Sequence, residues 1–267
     1  MTDLSEKMKK AAVGIAGLGG LGSTVAVALA RTGVGKLIIA DFDRVEKSNL
    51  NRQHYFIDQI DQYKTDALAA NLQRINPDVK VVAHKLMLNK ENIPHIFEDA
   101  CLVAECFDAA DQKKMIVETV LTRMKDTLIV TVSGLAGYGK SNDITTKRLS
   151  DRLILIGDQT SGTDKGLPLT AARVWLAASH QANAIVELLI NEIIKNKIMA
   201  VLKINGQEKK FADKLPLTLA ELLETLNVKA ETVVAEIDGR IIERENFVTT
   251  QLKNGQSIEL VRFVPGG

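Results

Sequence analysis

Cysteine is nearly absent from this chain: among 267 residues only Cys101 and Cys106 occur, both in the apolar run ACLVAECFD. Without a C-x-x-C pair or a histidine cluster, nothing has the spacing of a structural zinc site. Two cysteines on one apolar run read as buried free thiols rather than a disulfide, so the chain is expected to be cytoplasmic. An excess of either charge is also missing. The 34 basic and 33 acidic residues nearly cancel, which argues against a broad nucleic-acid-binding surface and removes nucleic acid from the expected partners. No apolar run approaches the about 18 residues of a membrane span, so no membrane partner is expected. The basic opening, MTDLSEKMKKAAVG, leads into glycines and not into the apolar core of a signal peptide.

Apolar residues are plentiful, at 46%, and the length suits one large domain or two. Residues 12–16 predict a buried strand, followed by a glycine loop and a helix over 20–32 that Gly33 and Gly35 end. Further strands are expected at 36–41, 79–85, 101–108, 127–134 and 152–158. Helices are expected at 64–77, 111–124 and 171–195. Strands alternating with helices predict a doubly wound, mostly parallel α/β sheet. After Lys197 the texture changes. A hairpin is expected around Asn205-Gly206, a short helix over 218–227 with Thr218 as its N-cap, a second hairpin at 232–242 and a last strand at 257–264. The expected domains are therefore 1–198, and 199–267 as a small α+β module.

The loop Gly17-Leu18-Gly19-Gly20-Leu21-Gly22 lies between strand and helix, the context in which glycines let a backbone approach phosphates at a helix N-terminus. Asp41, 19 residues past Gly22 at a strand end, is placed for ribose hydroxyls. On those residues alone a nicotinamide dinucleotide is the default. The block that follows, DFDRVEKSNLNRQ, shifts the reading. Asp43, Asn49, Asn51, Arg52 and Gln53 form a dense polar set where a dehydrogenase needs one carboxylate. Arg52 and Lys64 are candidates for the β- and γ-phosphates of a triphosphate, as a bidentate fork and a point charge. Asp108, at the end of a later strand, is a candidate Mg²⁺ ligand. Taken singly, Lys64 also reads as a solvated helix start and Asp108 as a helix cap. At the far end stands Val264-Pro265-Gly266-Gly267. Two glycines can thread a narrow channel and present a bare carboxylate.

Gly17–Gly22, Asp41-Phe42-Asp43, Ser48-Asn-Leu-Asn-Arg-Gln53, Lys64 and Cys106-Phe-Asp108 resemble the adenylation domain of the ubiquitin-activating-enzyme superfamily, over roughly residues 10–192. The ThiF-type members are the closest in look, and residues 200–267 resemble the ThiS-type sulfur carrier. The resemblance implies a Rossmann-like sheet followed by a ubiquitin-like β-grasp domain. It implies ATP on the glycine loop and Asp41, phosphate contacts from Asn49, Arg52 and Lys64, Mg²⁺ on Asp108, and Gln53 as part of the motif. It also implies an enzyme that adenylates the Gly267 carboxylate of its fused carrier, in cis or trans, for sulfur transfer in thiazole formation. A molybdopterin-type carrier is the alternative within this class. An NAD(P)-dependent oxidoreductase and a non-catalytic binding module are the alternatives outside it. The chain departs from many family members in lacking both zinc-binding C-x-x-C motifs and any cysteine over 135–185, so sulfur must come from another donor. In the family an Arg finger often comes from a partner subunit. Before the glycine loop this chain offers only Lys7, Lys9 and Lys10, and a homodimer is expected.

Overall fold

The computed structural model describes residues 2–198, 200–211, 215–253 and 255–262. They form two compact units, Met1–Ile190 and Asn191–Gly267.

The first unit opens with α1 (Thr2–Lys10), then β1 (Ala12–Ala16), α2 (Gly20–Thr32), β2 (Lys36–Asp41), α3 (Lys64–Ile75) and β3 (Lys80–Lys85). It continues with α4 (Ile93–Ile96), β4 (Leu102–Glu105), α5 (Ala110–Arg123), β5 (Leu128–Val132), β6 (Thr145–Arg148) and β7 (Leu153–Gly157). The long α6 (Ala171–Ile198) begins in this unit and runs past the division. The seven strands lie in the order β3-β2-β1-β4-β5-β7-β6. All neighbours are parallel except β6 and β7. Alternate strand residues feed two cores. Val13, Ile15, Leu37 and Ile39 pack with residues of α2, α3 and α6, whereas Ile38, Ala40, Val103 and Ile129 pack with Phe97, Ile116 and Val120. Burial on both faces explains why these strands read as continuous apolar runs. After β1 the chain steps one way to β2 and β3; β4 and β5 lie on the other side. The carboxyl ends of β1 and β4 therefore flank the topological switch point, where open α/β sheets bind ligands.

The second unit contains β8 (Ala200–Ile204), β9 (Gln207–Phe211), α7 (Leu219–Thr225), β10 (Val233–Ile237), β11 (Arg240–Ile242) and β12 (Ser257–Arg262). Their order is β11-β10-β12-β8-β9, with β12 parallel to β8. The last strand thus lies at the centre between the hairpins β8–β9 and β10–β11, parallel to the first strand beside it, which is the β-grasp arrangement. Asn205 and Gly206 have φ of 48° and 79°, and Asp238 and Gly239 of 49° and 82°, as type I′ turns demand. Asn205 also exchanges two hydrogen bonds with Leu260 of β12. Thr218 caps α7 by accepting from the Glu221 amide. The core gathers Leu202, Leu219, Leu222, Ala235 and Ile258.

Three elements go beyond the expected pattern. Helix α1 buries Met8 completely. Four-residue α4 precedes Phe97. Edge strand β6, of sequence TTKR, carries no apolar alternation to announce it. One expectation is corrected: the run CLVAECFD is strand only over Leu102–Glu105. Cys101 lies just outside the strand and is exposed, while Cys106 is buried, and neither forms a disulfide. No described helix is long and apolar enough to cross a membrane.

Candidate nucleotide site

The chain leaves β1 at Gly17, whose φ of +87° suits glycine. A Cβ at Gly22 would lie 1.9 Å from the Gly17 carbonyl oxygen, so two backbones meet there where no side chain fits. Gly19 is the N-cap of α2, without a side-chain cap and without an acidic residue in the first turn. The first N–H groups of this helix, at the positive end of its dipole, are thus left to an anion. Beside Gly19 there is room, since a Cβ would meet only Gln53 Nε2, at 3.8 Å.

Asp41 ends β2 and is buried. One carboxylate oxygen accepts from the Leu18 amide at 2.6 Å, the other from the Asp43 amide at 2.8 Å. Burial pushes its pKa above the ordinary value, against the opposing pull of Lys64 and those two N–H groups. Tyr55 donates its hydroxyl to the Leu18 carbonyl at 2.8 Å. Its phenol is pushed well above the ordinary range by burial, with the charges of Asp41 and Asp43 adding to it, so it remains a neutral donor. Residue 18 is therefore held from both sides, which fixes the crest of the loop.

Lys64 opens α3 with its side chain buried, its Nζ 2.7 Å from Asp43 Oδ2. The block 48–53 folds as a tight turn. Asn49 is spent inside it: Oδ1 accepts from the Glu46 amide at 3.1 Å, and Nδ2 donates to Ser48 Oγ at 3.4 Å. Arg52 is half-buried; its guanidinium donates to Asn51 Oδ1 at 2.8 Å and to the Ser48 carbonyl at 3.4 Å. Its stem passes the start of α2, with Cγ 3.5 Å from where a Gly20 Cβ would be. Gln53 is buried and its Oε1 has no hydrogen-bond partner among the described residues.

The loop after β4 completes the crevice. A Cβ on Gly17 would meet Cys106 O at 3.0 Å and the Phe107 ring at 3.1 Å. Asp108, two residues on, is exposed and makes no hydrogen bond or ion pair with another described residue, so its carboxylate is open to a cation. What fixes this loop is Glu105, wholly buried at the end of β4. It accepts from the Phe107 amide at 2.7 Å and from Lys113 Nζ at 3.0 Å, and takes the Thr131 hydroxyl on its other oxygen. Burial, with the Glu105 charge adding to it, pushes the Cys106 thiol far above its ordinary value, so it is held as an un-ionised thiol.

The structure thus brings Gly17, Gly19, Gly20, Gly22, Asp41, Asp43, Arg52, Gln53 and Lys64 to one end of the sheet, with Asp108 on the loop beside Gly17. Gly267 lies outside the described residues, as do Met199 and the Val264-Pro265-Gly266 segment. Lys9 and Lys10 close α1, next to the start of β1 and to Gly35. That is the sheet end opposite this crevice. Among the described residues no group of three His, Cys, Asp or Glu forms a metal cluster. Tyr55, Glu105, Lys113 and Trp175 went unread in the sequence. Only Glu105 left a trace there, as a lone carboxylate inside an apolar run.

Comparison with known proteins agrees with this geometry. The model of the ThiF family matches residues 1–215, and that of the ThiS family matches residues 201–267. Among relatives, the adenylyltransferase and sulfurtransferase MOCS3 of Caenorhabditis briggsae is 41% identical over 104 residues, 39% of this chain and 26% of its own. The tRNA threonylcarbamoyladenosine dehydratase of Bacillus subtilis is 38% identical over 94 residues, 35% of this chain and 37% of its own. The ubiquitin-like modifier-activating enzyme 5 of Bombyx mori is 46% identical over 79 residues, 30% of this chain and 20% of its own. The chain spans well under half the length of these curated relatives. Among solved structures, E. coli TcdA in complex with AMP superposes with a TM-score of 0.64 at 18% identity, over 72% of this chain and 90% of that one. E. coli MccB with AMPCPP gives 0.55 at 24% identity, over 70% and 57%.

Proposed function

This chain belongs to the ThiF family, and from that premise we propose that it is an ATP-dependent adenylyltransferase acting on the C-terminal carboxylate of a ThiS-like carrier, its own fused domain included. The observation that carries the reading is the uncapped start of α2 at Gly19–Gly20, with Asp41, Arg52 and Lys64 gathered round it. The helix start and its glycines receive phosphate. Asp41 accepts the ribose hydroxyls, and Arg52 and Lys64 balance the β- and γ-phosphates. Gln53 lines the crevice beside Gly19. Asn49 contributes by shaping the turn that carries Arg52, whereas Asp43 holds Lys64 until nucleotide draws it away. Asp108 would hold Mg²⁺, and the ion would supply charge compensation as pyrophosphate departs. A dinucleotide explains neither Arg52 nor Lys64.

The chemistry follows from the charges. The Gly267 carboxylate is ionised at neutral pH and needs no general base. One of its oxygens attacks the α-phosphorus of ATP. The bond from that phosphorus to the bridging oxygen breaks, and pyrophosphate leaves with the electron pair. What remains for the protein is alignment and compensation of charge. The product is an acyl-adenylate, ready for a sulfur nucleophile from a donor this chain does not contain. Cys106 is too deeply buried to be that nucleophile.

Thiazole formation for thiamine is the proposed pathway, supported by the ThiS family match at residues 201–267, with delivery of the tail in a homodimer. The test is pyrophosphate exchange into ATP in the presence of Mg²⁺, with the intact mass read for AMP on the C-terminus. A chain that does neither is not this enzyme. Growth of a thiazole auxotroph on the expressed chain distinguishes the thiamine pathway from that of a molybdopterin-type carrier.

A further inference from the structure

The chain has one tryptophan, Trp175, and it is not a core residue. The residue is 42% exposed, although it stands near the start of α6 between buried Val174 and the core alanines Ala177 and Ala178. Its N–H donates to the backbone carbonyl of Arg52 at 2.9 Å, across 123 residues of sequence. Its ring stacks on His54, two residues further along the same turn, with centroids 5.5 Å apart and an interplanar angle of 24°. The His54 amide is tied in turn to Ser23 Oγ of α2, at 3.2 Å. Val174 touches the other side of the crevice, its Cγ1 2.8 Å from where a Gly20 Cβ would stand, next to the Arg52 stem. The opening of α6 therefore grips both the helix start that receives phosphate and the turn that carries Arg52.

We propose that Trp175 is a positioning residue for Arg52, holding the backbone of residues 52–54 so that the guanidinium meets the triphosphate in the orientation that the departing pyrophosphate requires. This rests on the adenylation reading above. An indole filling space would be buried, whereas this one spends its only polar atom on one carbonyl of the phosphate-binding turn.

The experiment uses the full chain and four variants: Trp175→Phe, which keeps an aromatic ring for the stack and removes the donor, Trp175→Ala, Arg52→Ala and the Arg52→Ala/Trp175→Phe double. Trp175→Phe is expected to lower kcat for pyrophosphate exchange about fivefold, the worth of one ordinary hydrogen bond, with KM for ATP within about twofold of wild type and a melting temperature within about 3 °C. Trp175→Ala is expected to lose more. In the Arg52→Ala background the Phe substitution should cost nothing further, because the two residues act as one unit. ATP should also change the emission of the lone tryptophan in the wild type and leave it unchanged in Arg52→Ala at saturating ATP. Trp175→Phe exchanging at the wild-type rate overturns the inference alone, as does a loss equally large with and without Arg52. A wild-type chain that neither exchanges pyrophosphate nor responds to ATP overturns the adenylation reading and this inference with it.

Discussion

Two single residues carry opposite expectations about ATP. Lys64 is buried and already paired with Asp43, so in the proposed site nucleotide would have to draw its ammonium from one anion to another. Removing the resident carboxylate while keeping its size should favour ATP. Asp43→Asn is expected to tighten ATP binding about fivefold, about 1 kcal/mol for a half-exposed charge close to the phosphates. Calorimetric titration measures it, and weaker binding would put the Asp43 carboxylate on the nucleotide itself. Gly22 is the reverse case. A methyl group there would stand 1.9 Å from the Gly17 oxygen, and neither backbone can yield without opening the phosphate loop. Gly22→Ala should abolish detectable ATP binding, whereas Gly33→Ala, where a Cβ meets nothing but φ is +90°, should cost stability alone, on the order of 1 kcal/mol. The same titration, run beside a urea melt, separates the two effects.

Between elements, the most demanding joint is the one Arg173 makes at the start of α6. It pairs with Asp158, beyond β7, at 2.6 Å, and donates to the carbonyls of Ala136, Gly139 and Lys140 in the loop after β5. Both side chains are buried. Burial alone would raise the Asp158 pKa. Hydrogen bonds from the Ser161 hydroxyl and amide, the Thr160 amide and Arg173 outweigh it and hold the carboxyl far below its usual range. A carboxylate depressed in the folded state stabilises fully above its unfolded pKa, near about 3.9, and that stabilisation drains away as pH falls toward the folded value. Asp158→Ala should cost about 3 kcal/mol at neutral pH, since it leaves a buried guanidinium short of its partner. Its stability should also fall less steeply than that of wild type on going from about pH 5 to about pH 2, as urea melts across that range would show. This joint illustrates what could be read beforehand and what could not. Strands buried on both faces and helices ending at glycine announce themselves locally, so β1, α2, β2 and both I′ hairpins were legible. Edge strand β6 has no apolar face, and α1 shows one buried methionine among charges, so neither did. In the crevice, the glycines and Asp41 stood out by spacing, and Lys64 only in company with the block 41–53. Glu105, Tyr55 and Trp175 gain their roles only from partners up to 123 residues away, which no local pattern encodes.

For the whole molecule the question is which crevice receives which tail. The unit Asn191–Gly267 has a five-stranded sheet and an apolar core of its own. Lys9 and Lys10 stand at the sheet end remote from this chain's own glycine loop. Under the proposed function, delivery of the tail in trans and delivery in cis predict different outcomes for mixed chains. The decisive mixture pairs a chain lacking Gly267, whose crevice is intact but whose carboxylate is misplaced, with an Asp108→Ala chain, whose tail is intact but whose proposed Mg²⁺ ligand is gone. Each alone should be inactive. Together they should place AMP on the Asp108→Ala chain, which intact mass distinguishes from the truncated one, and the yield should rise with total protein concentration because the encounter is bimolecular. For the wild type, fusion turns that encounter into one of high effective concentration, whether the tail is received by a partner within a dimer or by its own crevice. A mixture as inactive as its parts, beside a wild type whose rate per molecule does not change on dilution, would mean that each tail enters only its own crevice.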